Sequence, residues 1–198
     1  ILLYLVLMGS SMLMPLYVQS ILGKSATISG LVVLPGSLVS AFLSPIAGRI
    51  YDKVGIRILT IIGGSSLVLS NIGMFFIHIH TGIWMAVCLN ILRCAATGCL
   101  LMPFVTWGNK NIPPELTAHG TALLTSLRTV AGAIGTAVFV GIMNTVARNS
   151  HTLTGSAALL HGMNVSFLVM TVASGLLLFT GLFLIKDSRT EVLIEVEN

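Results

Sequence analysis

Two arginines are the side chains best placed to do chemistry in this sequence, because they alone carry charge deep inside its apolar stretches. Arg93 follows Trp84 by nine residues, which corresponds to about 13 Å of helix rise. If that stretch crosses a membrane, an arginine that faced lipid at this depth would cost roughly 3 kcal/mol. The Arg93 guanidinium is therefore expected to face the protein interior or a wet cavity, where it can bind an anion or a carbonyl oxygen.

Neutral polar residues accompany both arginines at helical spacing. Asn90, Arg93 and Thr97 fall at positions i, i+3 and i+7, which share one face of a helix. Thr125 precedes Arg128 by three residues and shares its face in the same way. We predict that these five residues contribute to a binding cavity. The alternative is that each arginine is buried for packing alone, and is satisfied by helix carbonyls or by a carboxylate outside this chain.

The composition indicates whether the helices that carry these residues lie in water or in lipid. Hydrophobic residues make up 55% of the chain and charged residues 8%, with a mean hydropathy of +1.00, whereas soluble domains carry roughly 25% charged residues. So few charges cannot cover a water-facing surface, and the lipid bilayer is the predicted partner. The ten basic residues are scattered along the chain, which argues against nucleic acid as a partner. No group of Cys, His or acidic residues has the spacing of a metal site.

Six stretches are long and apolar enough to cross about 30 Å of hydrocarbon as helices. The predicted spans are residues 2–22, 29–50, 58–77, 83–105, 121–146 and 163–185. Residues 186–198 are polar and acidic, and they are predicted to form a solvated tail. The predicted fold class is an all-α membrane protein with six transmembrane helices.

Small and polar residues recur every three or four positions in several spans, and we predict that these stripes are packing faces. The stripes are Gly36, Ser40, Ser44 and Gly48 in span two, Gly63, Ser66, Ser70 and Gly73 in span three, and Thr121, Thr125, Arg128, Gly132 and Gly135 in span five. Span six is interrupted only by small residues, and it is expected to lie near the lipid.

The distribution of Lys and Arg predicts the orientation of the spans. If the connection after span two is cytoplasmic, six basic residues lie on that side of the membrane and two on the other. The cytoplasmic set is Arg49, Lys53, Arg57, Lys110, Lys186 and Arg189, and the opposite set is Lys24 and Arg148. Both ends of this segment are then predicted to be cytoplasmic.

The connection between spans two and three holds three of the ten basic residues and one of the six acidic ones, in GRIYDKVGIR (residues 48–57). We call residues 48–57 the signature segment. A positive-inside bias explains its basic residues, but it does not explain Asp52. The segment resembles the cytoplasmic loop signature of the major facilitator superfamily. The matching positions are Gly48, Asp52, Lys53, Gly55 and Arg57, and the departures are Tyr51 and Ile56.

Three further stretches are similar to the fourteen-span drug:proton antiporters of that superfamily. They are LVVLPGSLVSAFLSPIAGR (residues 31–49), LRCAATGCLLMP (residues 92–103) and HGTALLTSLRTVAGAIGTA (residues 119–137). The resemblance covers essentially the whole chain. It implies the C-terminal half-bundle of a major facilitator fold, whose partner is an N-terminal half of the same polypeptide in a bacterial inner membrane.

The resemblance also implies a function, namely proton-coupled export of a small lipophilic substrate by alternating access. The signature segment would then be a conformational latch formed by Gly48, Arg49, Asp52, Lys53, Gly55 and Arg57, and the five polar residues around Arg93 and Arg128 would line the transport cavity. Neither an enzymatic activity nor a cofactor is implied, since the proton gradient would supply the energy. Because no Asp or Glu lies inside a predicted span, the residue that carries the proton is expected outside this chain.

Two other functions are compatible with parts of the sequence. The same fold could transport a metabolite or a sugar, because fold alone does not determine the substrate. A six-span intramembrane protease would need a Ser and a His that face each other within the membrane. His119 and His161 lie at the edges of predicted helices, and no Gly-x-Ser-x-Gly motif is present, so the sequence disfavours the protease.

Overall fold

The apolar stretches form helices, as their length and hydropathy require. The computed structural model describes residues 1–78, 81–109, 112–113, 116–150 and 155–183, with the side chains of Asp52 and Val54 excepted. This part of the chain holds six helices long and apolar enough to cross a membrane, and no strand. They are α1 (Leu2–Leu16), continued by a π-helical turn (Tyr17–Ile21), α2 (Ala26–Val54), α3 (Ile56–Phe75), α4 (Ile83–Asn109), α5 (Thr117–Asn149) and α6 (Ser156–Phe183). The predicted all-α membrane fold is confirmed.

Proline and glycine positions shape the first two helices. The π-helical turn begins two residues after Pro15, which has no backbone N–H to donate. Gly23 then adopts a φ of 62°, which lets the chain reverse direction before α2. The Ser25 hydroxyl caps α2 by accepting a hydrogen bond from the Ile28 amide at 3.4 Å. These local features fix where the first hairpin of helices turns.

The structure differs from the sequence prediction at the signature segment, which was expected to be a loop. Helix α2 continues to Val54, so most of the segment forms its last two turns, and α3 begins at Ile56. Gly55 is the single residue between the two helices. Its φ of 83° lies in a region that side-chain-bearing residues rarely adopt. The helix continues through the segment because residues 49–54 contain neither proline nor glycine.

The helices pack as a bundle in which sequence neighbours are often not neighbours in space. Going around the bundle, the order of extensive contact is α2, α4, α3, α6, α5 and α1. Helices α1 and α4 face each other across the middle with few direct contacts. Large side chains from several helices fill the space between them. Fully buried examples are Leu13, Met14, Tyr17, Leu67, Phe139, Met163, Phe167 and Met170.

The stripes of small residues form contact faces between helices along part of their length. A β-carbon at Gly36 of α2 would lie 2.8 Å from the Asn90 amide nitrogen of α4, and one at Gly98 would lie 2.9 Å from the Ser40 carbonyl oxygen. On α3, the Ser70 hydroxyl donates a hydrogen bond to the Leu89 carbonyl of α4 at 2.7 Å. The absence of side-chain volume at these positions lets the backbones approach closely.

The expectation that span six lies near the lipid holds for one face of α6 only. Val172 and Phe183 on that face are 61% and 71% exposed. On the other face, the Ser166 hydroxyl donates to the Phe139 carbonyl of α5 at 2.9 Å. Ser174 accepts a hydrogen bond from the Asn71 amide of α3 at 3.3 Å. The small residues that made this span look smooth are the places where α5 and α3 contact it.

Candidate functional site

Arg93 lies near the middle of α4 with its guanidinium inside the bundle. The residue is only 8% exposed. Its Nη1 donates a hydrogen bond to the Ser10 hydroxyl of α1, and its Nη2 donates to the Asn90 Oδ1 at 2.6 Å. Ser10 in turn donates to the Leu7 carbonyl at 3.2 Å. Arg93 therefore connects the two helices that otherwise make few contacts across the bundle. We call Ser10, Asn90 and Arg93 the central polar cluster.

The packing of α4 explains why this polar face turns inward. Helix α2 lies close against one side of α4, because there is no room for a side chain at Gly36 or Gly98. Helix α3 covers another side through Ser70 and Gly73. Arg93 is left facing α1 and the bundle centre, beside Met14 and Phe167. The Asn90 amide nitrogen lies against Gly36 of α2, while its oxygen accepts from Arg93. A polar face that would be costly in lipid is thus enclosed by protein.

The charge of the central polar cluster is not balanced within the six helices. Every acidic residue of the chain is at position 52, at position 115 or beyond position 186, so none lies in the middle of a helix that the structure describes. The described acceptors of Arg93 are two neutral oxygens, although a guanidinium has five N–H donors. The Asn90 Nδ2 is also buried without an acceptor among the described residues. The cluster therefore has a hydrogen-bond donor without a described acceptor, although its packed side chains leave no space for a further molecule in this conformation.

The five residues predicted to line one cavity are placed at separate locations. Thr97 is buried on α4, but its hydroxyl donates to the Cys94 carbonyl of its own helix at 3.0 Å. Thr125 is exposed on α5 and donates to the Thr121 carbonyl at 2.8 Å. The guanidinium carbon of Arg128 lies 4.2 Å from the centre of the Tyr4 ring of α1. Only Asn90 and Arg93 come together.

Ser10 is a member of the cluster that sequence reasoning missed. It occurs in the short run Gly9-Ser10-Ser11, which interrupts the apolar sequence of α1. That interruption was a detectable signal, because a serine in a membrane helix can accept a hydrogen bond from a neighbouring helix. Its partner on α4 is far away in sequence, so the pairing itself could not be read from the chain.

A second site lies at one end of the bundle, around Arg128. A cavity of about 480 Å³ opens there between the start of α1, the end of α4, the start of α5 and the end of α6. Its lining is mainly apolar and includes Leu101, Phe104, Trp107 and Leu127. Arg128 is the charged side chain in its wall. We call this space the end cavity.

The signature segment lies at the same end of the bundle as the end cavity. The Arg49 and Lys53 side chains are exposed on the last turns of α2. A β-carbon at Gly48 would meet no described atom within 4 Å, so its small size is not explained by the contacts of this half-bundle. The Arg57 Nη2 donates to the Leu182 carbonyl at 3.4 Å, at the C-terminus of α6. The backbone of Asp52 is helical, and its side chain lies outside the described residues.

Comparison of the sequence with known proteins identifies the family of this chain. The family model described as Major Facilitator Superfamily matches residues 1–136. The chain is 38% identical over 171 residues to the MFS-type transporter YcnB of Bacillus subtilis, a match that covers 86% of this chain and 36% of that protein. The chain belongs to the major facilitator superfamily. The resemblance inferred from its sequence is confirmed.

Other similar proteins of the superfamily have names that refer to drugs. The chain is 35% identical over 144 residues to the lincomycin resistance protein LmrB of Listeria innocua, covering 71% of this chain and 30% of that protein. It is 30% identical over 147 residues to the multidrug export protein EmrB of Haemophilus influenzae, covering 68% of this chain and 27% of that protein. The chain thus spans about a third of the length of the curated relatives it matches. Major facilitator superfamily proteins are membrane transporters rather than enzymes, and this chain is a multi-pass membrane protein.

Proposed function

We propose that this chain is the C-terminal half of a bacterial exporter that moves small lipophilic compounds across the inner membrane by alternating access. The single observation that carries the proposal is the central polar cluster, a charged group in mid-bundle whose described acceptors are both neutral. Such a group is costly unless it serves a pathway or a partner. The names of the relatives, which refer to lincomycin resistance and multidrug export, support a lipophilic substrate.

The partner of this half would be an N-terminal half of the same polypeptide. The relatives are about three times as long as the matched region, and α2 and α5 are the least buried of the six helices. Their outward faces carry large exposed apolar side chains, among them Phe42 and Leu123. In alternating access, one half rocks against the other around a site near the membrane middle, which is the depth of Arg93 on α4.

Proton coupling is part of the same proposal. The spans contain no acidic residue in their interior, and arginine keeps its proton at accessible pH. The group that binds and releases the transported proton would therefore belong to the part of the polypeptide outside this chain. The unsatisfied donors of the central polar cluster are suited to receive such a carboxylate in one of the two states.

The position of Asp52 supports the latch proposal for the signature segment. Asp52 lies in the last turn of α2, where a negative charge meets the negative end of the helix dipole. This placement costs about 0.3–1 kcal/mol in an exposed helix, so the residue does not serve the stability of α2. A partner on another helix or on the other half would account for it, and such a contact must break when the halves change state.

Reconstitution of the full-length protein in proteoliposomes tests the function and the latch together. The wild type is expected to export a lipophilic fluorescent compound only when a proton gradient is imposed. The Asp52→Asn variant should insert normally and lose about tenfold in initial rate, the equivalent of roughly 1.4 kcal/mol. Arg148→Gln, a change of an exposed residue at the other end of the bundle, is the control. Export without a gradient would contradict proton coupling, and unchanged export by Asp52→Asn would contradict the latch.

Orientation can be tested by labelling the two ends of α2. Lys24 and Lys53 are exposed just before and at the end of this helix. In a background with Cys88, Cys94 and Cys99 replaced by Ala, Lys53→Cys is expected to react with an impermeant maleimide from the cytoplasmic side only. Lys24→Cys should react from the outer side only, because α2 spans the membrane once. Labelling of both from one side would overturn the proposed topology.

A further inference from the structure

The end cavity has the size and the apolar lining of a small-molecule binding site. Four helices contribute to it, and its volume of about 480 Å³ falls within the roughly 300–1,000 Å³ of small-molecule sites. Leu101, Phe104 and Leu127 supply much of its wall. Trp107 is 41% exposed at the end of α4, the position at which tryptophan marks the membrane–water boundary. A ligand in this cavity would therefore have its body among apolar side chains and one end near water.

Arg128 gives this apolar cavity a positive charge that the described residues do not neutralise. Its described partner is the Tyr4 ring, at 4.2 Å from the guanidinium carbon to the ring centre. A contact with a ring face leaves the in-plane N–H donors free, and no described oxygen accepts a hydrogen bond from them. Thr180, a hydroxyl-bearing residue of the wall, donates to the Leu177 carbonyl of its own helix at 2.8 Å. The guanidinium is thus held in place with its donors available.

We propose that the end cavity binds an amphiphile with one anionic head group and one apolar chain, such as an ionised fatty acid. The anionic head contacts Arg128, and the chain lies along Leu101, Phe104 and Leu127. An uncharged lipophile would leave the guanidinium without a negative partner, and a cationic one would be repelled by it. This site is separate from the central polar cluster, because Tyr4 and Ser10 are six residues apart on α1, which is about 9 Å along the helix. The inference does not depend on the transport function proposed above.

Trp107 provides a direct reporter of occupancy, because it lines the cavity. The experiment uses the full-length protein in detergent micelles, with every other tryptophan, including Trp84, replaced by Phe. Dibrominated stearate, at a pH at which it is ionised, is titrated against the methyl ester of the same acid, and quenching of Trp107 fluorescence is followed. The acid is expected to bind about tenfold more tightly than the ester, because only the ionised carboxylate can form an ion pair with the Arg128 guanidinium.

Two variants separate a site from general partitioning into the micelle. Arg128→Gln should abolish the preference for the acid while leaving quenching by the ester unchanged. Arg148→Gln removes the same charge from the other end of α5, and it should keep the preference. Equal quenching by acid and ester in the wild type, or a preference that survives Arg128→Gln, would overturn the proposal.

A third titration identifies the source of the anionic head group. Dibrominated phosphatidylglycerol offers a phosphate on a membrane lipid, whereas the stearate offers a free carboxylate. If the phospholipid quenches Trp107 at a lower concentration than the stearate, and Arg128→Gln removes this difference, the site binds a membrane lipid. If the stearate quenches at the lower concentration, and the same variant removes the difference, the site binds a free amphiphile. A phospholipid effect that is insensitive to Arg128→Gln would count against the site.

Discussion

Replacement of Arg93 by methionine in the full-length transporter is expected to lower the rate of export by about a hundredfold, because about 3 kcal/mol of state-specific interaction is lost. The Arg93 side chain donates hydrogen bonds to Ser10 on α1 and to Asn90 on its own helix. Methionine has a similar length but no donor, so the link across the bundle is removed without leaving a large void. Initial rates in proteoliposomes measure the effect. Arg93→Lys should retain part of the activity, since one ammonium cannot hold both acceptors in the geometry of the guanidinium fork.

A companion variant separates transport from stability. In Arg93→Met alone, the Asn90 carbonyl oxygen loses its guanidinium donor, and a buried unsatisfied group costs roughly 1–3 kcal/mol. The Ser10 hydroxyl also loses a donor, but it keeps its own hydrogen bond to the Leu7 carbonyl. The triple variant Ser10→Ala, Asn90→Leu and Arg93→Met removes all of these groups, and its melting temperature should return to that of the wild type or exceed it. Its export should nevertheless stay at the level of Arg93→Met. If the triple variant recovers export together with stability, the cluster is a packing element and has no part in transport.

Substitution of a single glycine by alanine is expected to disrupt the contact between α5 and α6. A β-carbon at Gly162 would overlap the Met143 carbonyl group of α5, and a main-chain atom cannot move aside as a flexible side chain can. The two helices must separate locally, which should destabilise the protein by about 1–3 kcal/mol, as overpacking does. A melting temperature measured in detergent, with the fraction of folded protein after membrane extraction, reports the effect.

The same helix offers a matched control. A β-carbon at Gly175 would meet no described atom within 4 Å. Gly175→Ala should be neutral or stabilise the protein by up to about 1 kcal/mol, because alanine has the higher helix propensity. The two variants add the same methyl group to α6. If the melting temperature falls for Gly162→Ala and does not fall for Gly175→Ala, the loss is due to the contact with α5. Equal effects at Gly162 and Gly175 would contradict the packing described here.

The fold was largely predictable from local properties of the chain. Six apolar stretches of the right length predicted α1 to α6, and the four-residue spacing of Gly36 and Ser40 predicted a helix contact face. Helix ends were less predictable. The signature segment looked like a loop because it is charged, yet charge does not end a helix, and α2 continues until Gly55 adopts a φ of 83°.

The candidate site was predictable only in part. The cost of a charge in the membrane indicated that Arg93 faces inward, and its spacing from Asn90 indicated a shared face. The same reasoning grouped Thr125 and Arg128 with them, although these residues lie at other places in the bundle. Helical periodicity gives the direction of a side chain around its own axis. It does not give the neighbour that the side chain meets.

The sequence by itself determined that the helices lie in a lipid bilayer, how many apolar spans there are and to which family the protein belongs. Hydropathy, span length and motif spacing are all properties of short stretches of sequence. The tertiary structure alone decided that Arg93 joins Ser10 across the bundle, and that Arg128 lies over Tyr4 in a separate cavity. The order of the helices around the bundle differs from their order in the chain. Side chains 83 residues apart, such as Ser10 and Arg93, therefore become partners through packing that no local pattern encodes.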